Sequence, residues 1–182
     1  MKSGGQHERY HGMRYVRHFV TKLIPKNIKC YTEPFAGHAW VAREVCKNKN
    51  IMCILGDINP EPLKWAEKHH KFGENVILKI QDWKKTISKD CINVLDPPHE
   101  ECVPVQGIRP GRCSLQSRNF FHEIKQICDK GYKCLVNLPN ENSSLYNEIK
   151  QLYCNDPKWK CIPYIYHQNS HHTFRYLIAK NF

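Results

Sequence analysis

From about residue 28 onward, short apolar and β-branched runs alternate with segments of helical period, which restricts the chain to sheet-centred α/β architectures. The spacing predicts strands over 29–33, 52–57, 76–80, 91–95, 133–138, 161–166 and 174–180. Helices are expected over 38–47, 60–71, 115–130 and 143–153, with Phe120, Ile124, Ile127 and Cys128 sharing one face of the third and Gly131 ending it. A further amphipathic helix over 13–24 stops at Pro25. Only the stretch 166–173 joins the last two strands. It cannot hold a crossover helix, so these strands must pair antiparallel as a hairpin. The expected fold class is therefore α/β, a seven-stranded doubly wound sheet closed by a C-terminal antiparallel hairpin.

A length of 182 residues suits one domain, 1–182, with 1–27 as a leading segment and helix. The formal charge of +11 and a pI near 9.2 point to a polyanionic partner, because surface Lys and Arg bind phosphates by releasing counterions. Residues 99–114 carry Pro104, Gly107, Pro110 and Gly111 beside Arg109 and Arg112 and read as a mobile loop. These two arginines, Arg118, and the hairpin-tip histidines His167, His171 and His172 are the candidate nucleic-acid contacts; a solvated turn explains the histidines equally well. The ten cysteines form no Cys-x-x-Cys pair and no zinc-finger spacing, so they read as buried thiols. No metal is expected, although His99, Cys102 and Cys113 are a conceivable ligand set. No leader or membrane-length apolar run is seen, and an intracellular, non-secreted location is expected.

In open α/β sheets ligands bind beyond the carboxyl ends of the strands, so the residues there are the informative ones. After the first strand comes Glu33-Pro34-Phe35-Ala36-Gly37, where Gly37 allows close backbone approach to a ligand and the next helix offers its N-terminal amides. After the second comes Asp57-Ile58-Asn59-Pro60: a carboxylate able to accept two ribose hydroxyls, then an N-cap and an N1 proline. After the third, Gln81-Asp82-Trp83 supplies an acceptor for an adenine amine and an indole to cover its ring.

The fourth strand end is Asp96-Pro97-Pro98-His99. Each proline fixes φ and removes a donor, so the turn is a stiff ledge offering only acceptors. An exocyclic amine that donates to the Asp96 carboxylate and the Pro97 carbonyl has its lone pair localised for attack, with His99 placed to stack on the ring.

In this order, these motifs resemble the Dam-like adenine-specific DNA methyltransferases, which use S-adenosylmethionine (SAM). The resemblance runs nearly end to end. Tyr10-His11-Gly12-Met13-Arg14 is similar to the family's opening segment over the methionine end of SAM, and Tyr31 to Gly37 to its Tyr-x-Glu-Pro-Phe-x-Gly motif. Asp57-Ile58-Asn59 matches its ribose site, and residues 177–182 its final strand. The resemblance implies a Rossmann-like SAM-dependent methyltransferase sheet and methyl transfer to N6 of adenine in DNA. Asp96, Pro97, Pro98 and His99 would be catalytic; Tyr10, Arg14, Glu33, Pro34, Phe35, Gly37, Asp57, Ile58, Asp82 and Trp83 would hold SAM.

The chain departs from that family in three places. His99 stands for its tyrosine and Arg14 for its lysine, and only 38 residues separate Asp57 from Asp96, where the family carries a target-recognition insert. Recognition then falls to the basic loop, the hairpin tip or a partner subunit. An RNA adenine methyltransferase, transfer to a cytosine amine, and a non-catalytic nucleic-acid-binding subunit are the alternatives.

Overall fold

The computed structural model describes residues 12–98, 110–169 and 172–182. The chain divides into two compact units, Met1–Asp96 and Pro97–Phe182. Its strands follow the order β3-β2-β1-β4-β5-β7-β6 in a seven-stranded mixed sheet.

In the first unit a 3-10 turn, Gly12–Arg14, leads into α1 (Arg17–Leu23). Ile24 leaves the helix in extended geometry, as a residue before proline must. There follow β1 (Cys30–Glu33), α2 (Trp40–Val45), β2 (Met52–Asp57), α3 (Pro60–His70), β3 (Val76–Ile80), a 3-10 turn at Trp83–Lys85, and β4 (Ile92–Leu95). All pairings here are parallel: β1 lies between β2 and β4, and β3 pairs with β2. β1 and β4 are buried at every position, as expected of central parallel strands. The core is built from Val16, Val20, Tyr31, Val41, Leu55, Leu63, Val94 and Leu95.

The second unit holds α4 (Pro110–Cys128), β5 (Lys133–Asn137), α5 (Tyr146–Cys154), β6 (Lys160–Asn169) and β7 (His172–Lys180). β7 pairs antiparallel with both β5 and β6. The hairpin is tighter than expected, because its strands run on to Asn169 and from His172; His167 sits in β6 opposite Thr173. Residues 110–114, expected in the loop, belong to α4. Pro110 is its first residue, where a missing N–H costs nothing. With the helix phase set from there, Ser117, Phe121, Ile124 and Cys128 form its buried stripe, and Phe120 and Ile127 are only half-buried.

Eight of the cysteines are not the free thiols expected. Cys30 pairs with Cys91, Cys46 with Cys53, Cys128 with Cys134, and Cys154 with Cys161, at Cα separations of 4.5, 6.3, 6.3 and 5.5 Å that a disulfide spans. Among the described residues no helix is long and apolar enough to cross a membrane.

Candidate functional site

The chain runs β1, β2, β3 in one direction across the first unit and returns as β4 on the other side of β1. That reversal leaves a crevice beyond the carboxyl ends of β1 and β4, the usual ligand position in such sheets. Glu33, Asp57 and Asp96 end or directly follow β1, β2 and β4.

Asp57 is tightly held. Its Oδ2 accepts the Gly37 amide and its Oδ1 the Asn59 amide, each at 2.9 Å. Burial pushes its carboxyl above the usual range, against the pull of these amides and that of Ile58. Gly37 makes its bond with φ +49, a left-handed geometry that suits glycine. Asn59 caps α3 by accepting the Glu61 amide at 3.1 Å, with Pro60 in the first turn, as its sequence predicts. Beside it Ile58 is 71% exposed, a large apolar side chain open to a ligand. A carboxylate oxygen carries more than one acceptor site, so Asp57 keeps capacity for a diol. An acceptor carboxylate beside an exposed apolar side chain fits an adenosine-type group.

Glu33 is turned inward. Only 3% exposed, its Oε2 accepts both the Tyr31 hydroxyl (2.8 Å) and the Ala42 amide (2.9 Å) in the first turn of α2. Burial pushes its carboxyl up to about 8, the Tyr31 and Ala42 bonds oppose this, and the charge of Asp96 adds to it. Burial thus favours the protonated form of Glu33.

Phe35 and Trp83, expected at the cofactor from separate motifs, meet with ring centroids 5.6 Å apart. Trp83 is buried, so its indole is not an open lid. Pro34 is buried beside it in the chain. Asp82 is exposed and accepts the Lys84 amide at 2.9 Å, capping the 3-10 turn. Arg14 places its guanidinium 5.2 Å from the Trp40 ring.

In the second unit Pro97 is buried and Pro98 exposed. The Pro98 carbonyl accepts the Ser117 hydroxyl of α4 at 2.9 Å. This anchor leaves the Pro97 carbonyl as the ledge's candidate acceptor. Arg118 is engaged with Glu148 at 2.9 Å, and exposed His167 bonds Thr173 Oγ1 at 3.1 Å. Tyr10, His99, Arg109 and His171 lie outside the described residues, as do the side chains of Arg112 and His172. Among the described residues no group of three His, Cys, Asp or Glu is placed to hold a metal ion.

Two contributors gave no signal in the sequence reading. Ser117 steadies the ledge, and Asn93, buried in β4, bonds Thr32 of β1 beneath the crevice at 2.7 Å.

No family model matches the sequence, and no curated protein does. Solved structures do match. A Streptococcus pneumoniae protein assigned to tRNA methylation superposes with a TM-score of 0.58 at 10% identity, over 90% of this chain and 68% of its own. This chain has the methyltransferase fold. A precorrin-6y methyltransferase from Geobacter metallireducens gives a TM-score of 0.60 at 12% identity, over 91% of this chain and 85% of its own. M. capricolum TrmK, in complex with S-adenosyl-homocysteine, gives 0.54 at 13% identity, over 94% and 69%. The methyltransferase fold thus comes with substrates as different as tRNA and a precorrin, and the choice among them has to be argued from the site.

Proposed function

We propose that this methyltransferase-fold protein binds SAM and transfers its methyl group to the exocyclic amine of adenine in nucleic acid, with DNA as the substrate that the Dam-like resemblance implies. The observation that carries the reading is the alignment of Asp57, clamped by two backbone amides beside exposed Ile58, with Asp96 at the end of the neighbouring half of the same parallel sheet. Asp57 would hold the ribose, Ile58 the adenine face, and Asp82 the adenine amine; Phe35 and Trp83 wall the pocket. SAM supplies an electrophilic methyl group.

The remaining work belongs to the chain. Asp96 and the Pro97 carbonyl accept the two amine hydrogens, which localises the nitrogen lone pair. His99 packs on the base, and Asp96 is the carboxylate placed to take the proton that the amine must shed. No strong base is needed, so rate comes from positioning and from acceptors fixed in advance.

RNA is the second reading. The 38-residue interval between Asp57 and Asp96 has no room for a sequence-reading insert, and a compact domain suits a substrate recognised by shape and unpaired bases. Incubating the protein with labelled SAM and either DNA or RNA, then digesting to nucleosides for mass spectrometry, tests both. N6-methyladenosine from RNA, or its deoxy form from DNA, assigns the substrate; label in neither polymer overturns the proposal.

A further inference from the structure

The first unit carries a second chemical cluster, which shares only Arg14 with the residues assigned to the cofactor. Trp65 of α3 stacks on His69 one turn later, with centroids 4.2 Å apart and planes 16° from parallel. His38 lies 4.1 Å from the same indole and Trp40 5.7 Å, and His70 meets both tryptophans edge-on. Hydrogen bonds lock the rings: His69 Nδ1 to the Trp65 carbonyl at 2.7 Å and His70 Nε2 to the His38 carbonyl at 2.8 Å. His69 is exposed, so the stack is open at its outer end.

Cations gather on the neighbouring Trp40. The guanidiniums of Arg14, Arg17 and Arg43, from three different elements, stand 5.2, 5.8 and 5.7 Å from the Trp40 ring. Glu44 pairs with Arg17 at 3.7 Å and with Lys47, whereas Arg14 and Arg43 form no ion pair among the described residues. His38 is buried and Trp40, Trp65 and His70 are half-buried, while His69 and Arg43 are exposed at the edge of the cluster, and a solvated helix face would not gather two tryptophans and three arginines. An exposed aromatic ring beside an exposed arginine is the chemistry that holds an unpaired strand.

We propose that this face docks a single-stranded stretch of nucleic acid, one base extending the Trp65–His69 stack and a flanking phosphate taken by Arg43. It supplies a recognition surface of the kind the short 57–96 interval lacks. The connection is direct: Gly37, which bonds Asp57, is followed at once by His38, which packs on Trp65.

The test is fluorescence anisotropy with a labelled, unstructured RNA of about twelve nucleotides, its DNA counterpart, and an abasic oligomer of the same length. His69→Ala should weaken binding of the base-bearing strands about fivefold or more, and the abasic strand should bind wild type that much more weakly and ignore the substitution. Arg43→Gln should flatten the salt dependence by about 0.7 in the slope of log K on log salt. Both side chains are exposed, so neither substitution threatens the fold. Unchanged affinity in His69→Ala, or equal binding of the abasic strand, overturns the stacking platform; an unchanged slope overturns the phosphate role of Arg43. Calorimetry with SAM on the same variants should give wild-type affinity. Strand binding without SAM binding would refute the proposed reaction and leave the platform standing.

Discussion

Thr32 of β1 donates its hydroxyl to Asn93 Oδ1 of β4 across 2.7 Å, with both side chains fully buried and directly opposite in the parallel register. Asn93 is saturated: Oδ1 also accepts the Ser88 amide at 2.8 Å, and Nδ2 donates to the carbonyls of Ser88 (2.8 Å) and Cys91 (3.1 Å). The amide thereby fixes the register that brings Glu33 and Asp96 to one end of the sheet.

Asn93→Ala leaves several buried polar groups without a partner and should cost about 3 kcal/mol of stability by urea denaturation. Thr32→Val alone should cost about 1 kcal/mol, and almost nothing when added to Asn93→Ala, because the bond it removes is already gone.

The buried Glu33 sets a pH dependence with a definite sign. Its folded-state carboxyl lies near 8 against an ordinary 4.5, so the fold prefers the protonated form. That preference is complete below about pH 4.5 and is lost as pH rises through about 8. Glu33→Gln keeps an acceptor for Tyr31 and Ala42 but cannot ionise. Thermal melts between pH 6 and 9 should therefore show wild type losing stability more steeply than Glu33→Gln, and parallel curves would remove Glu33 as the cause.

Asp57 and Asp96 should separate binding from chemistry. Asp57→Ala removes a carboxylate that organises the Gly37 turn and should lower SAM affinity by about tenfold or more. Asp96→Ala should leave that affinity within about twofold while methyl transfer falls by about a hundredfold or more. Titration calorimetry and a single-turnover assay make the comparison, and equal loss of both properties in Asp96→Ala would place the ledge in the cofactor pocket.

Gly56 has no room for a side chain. A Cβ there would lie 2.2 Å from Thr86 Oγ1, a buried hydroxyl that accepts from Gln81 Nε2 at 2.9 Å. Gly56→Ala should cost about 1–3 kcal/mol through overpacking. Adding Thr86→Ala removes the two nearest atoms and should recover part of the loss in chemical denaturation.

Much of this was legible along the chain because periodicity and punctuation are local. The ranges of β2 and β3 match their apolar runs, and Asn59 and Pro60 open α3 as capping chemistry requires. Pro110 misled in the other direction: proline beside glycine reads as a breaker, although proline also favours the first helical position. Asn93, Thr32 and Ser117 were silent because their worth depends on a partner strand or turn that no local pattern names. Trp65 and His69 carried the i, i+4 signal of a ring pair, but only the fold supplies Trp40 and its arginines.

The cysteines give the last prediction. Three of the four pairs repeat one arrangement, joining the last turn of a helix or the residue after it to the start of the next strand: Cys46 to Cys53, Cys128 to Cys134 and Cys154 to Cys161, at sequence separations of 7, 6 and 7. The fourth, Cys30 with Cys91, staples β1 to the entry of β4 beneath the Thr32–Asn93 pair, across 61 residues. Short spacings at successive helix-to-strand joints were readable in principle, but each cysteine also sits in an apolar run where a thiol packs as a small hydrophobe. Alkylating the unfolded, unreduced protein and measuring its intact mass should leave these eight cysteines protected until reduction. Reduction should also lower stability, with Cys30–Cys91, which closes the longest loop, contributing about 4 kcal/mol in the chain-entropy account. Ten alkylated cysteines without reductant would show that these residues pack as thiols and that the sheet holds without them.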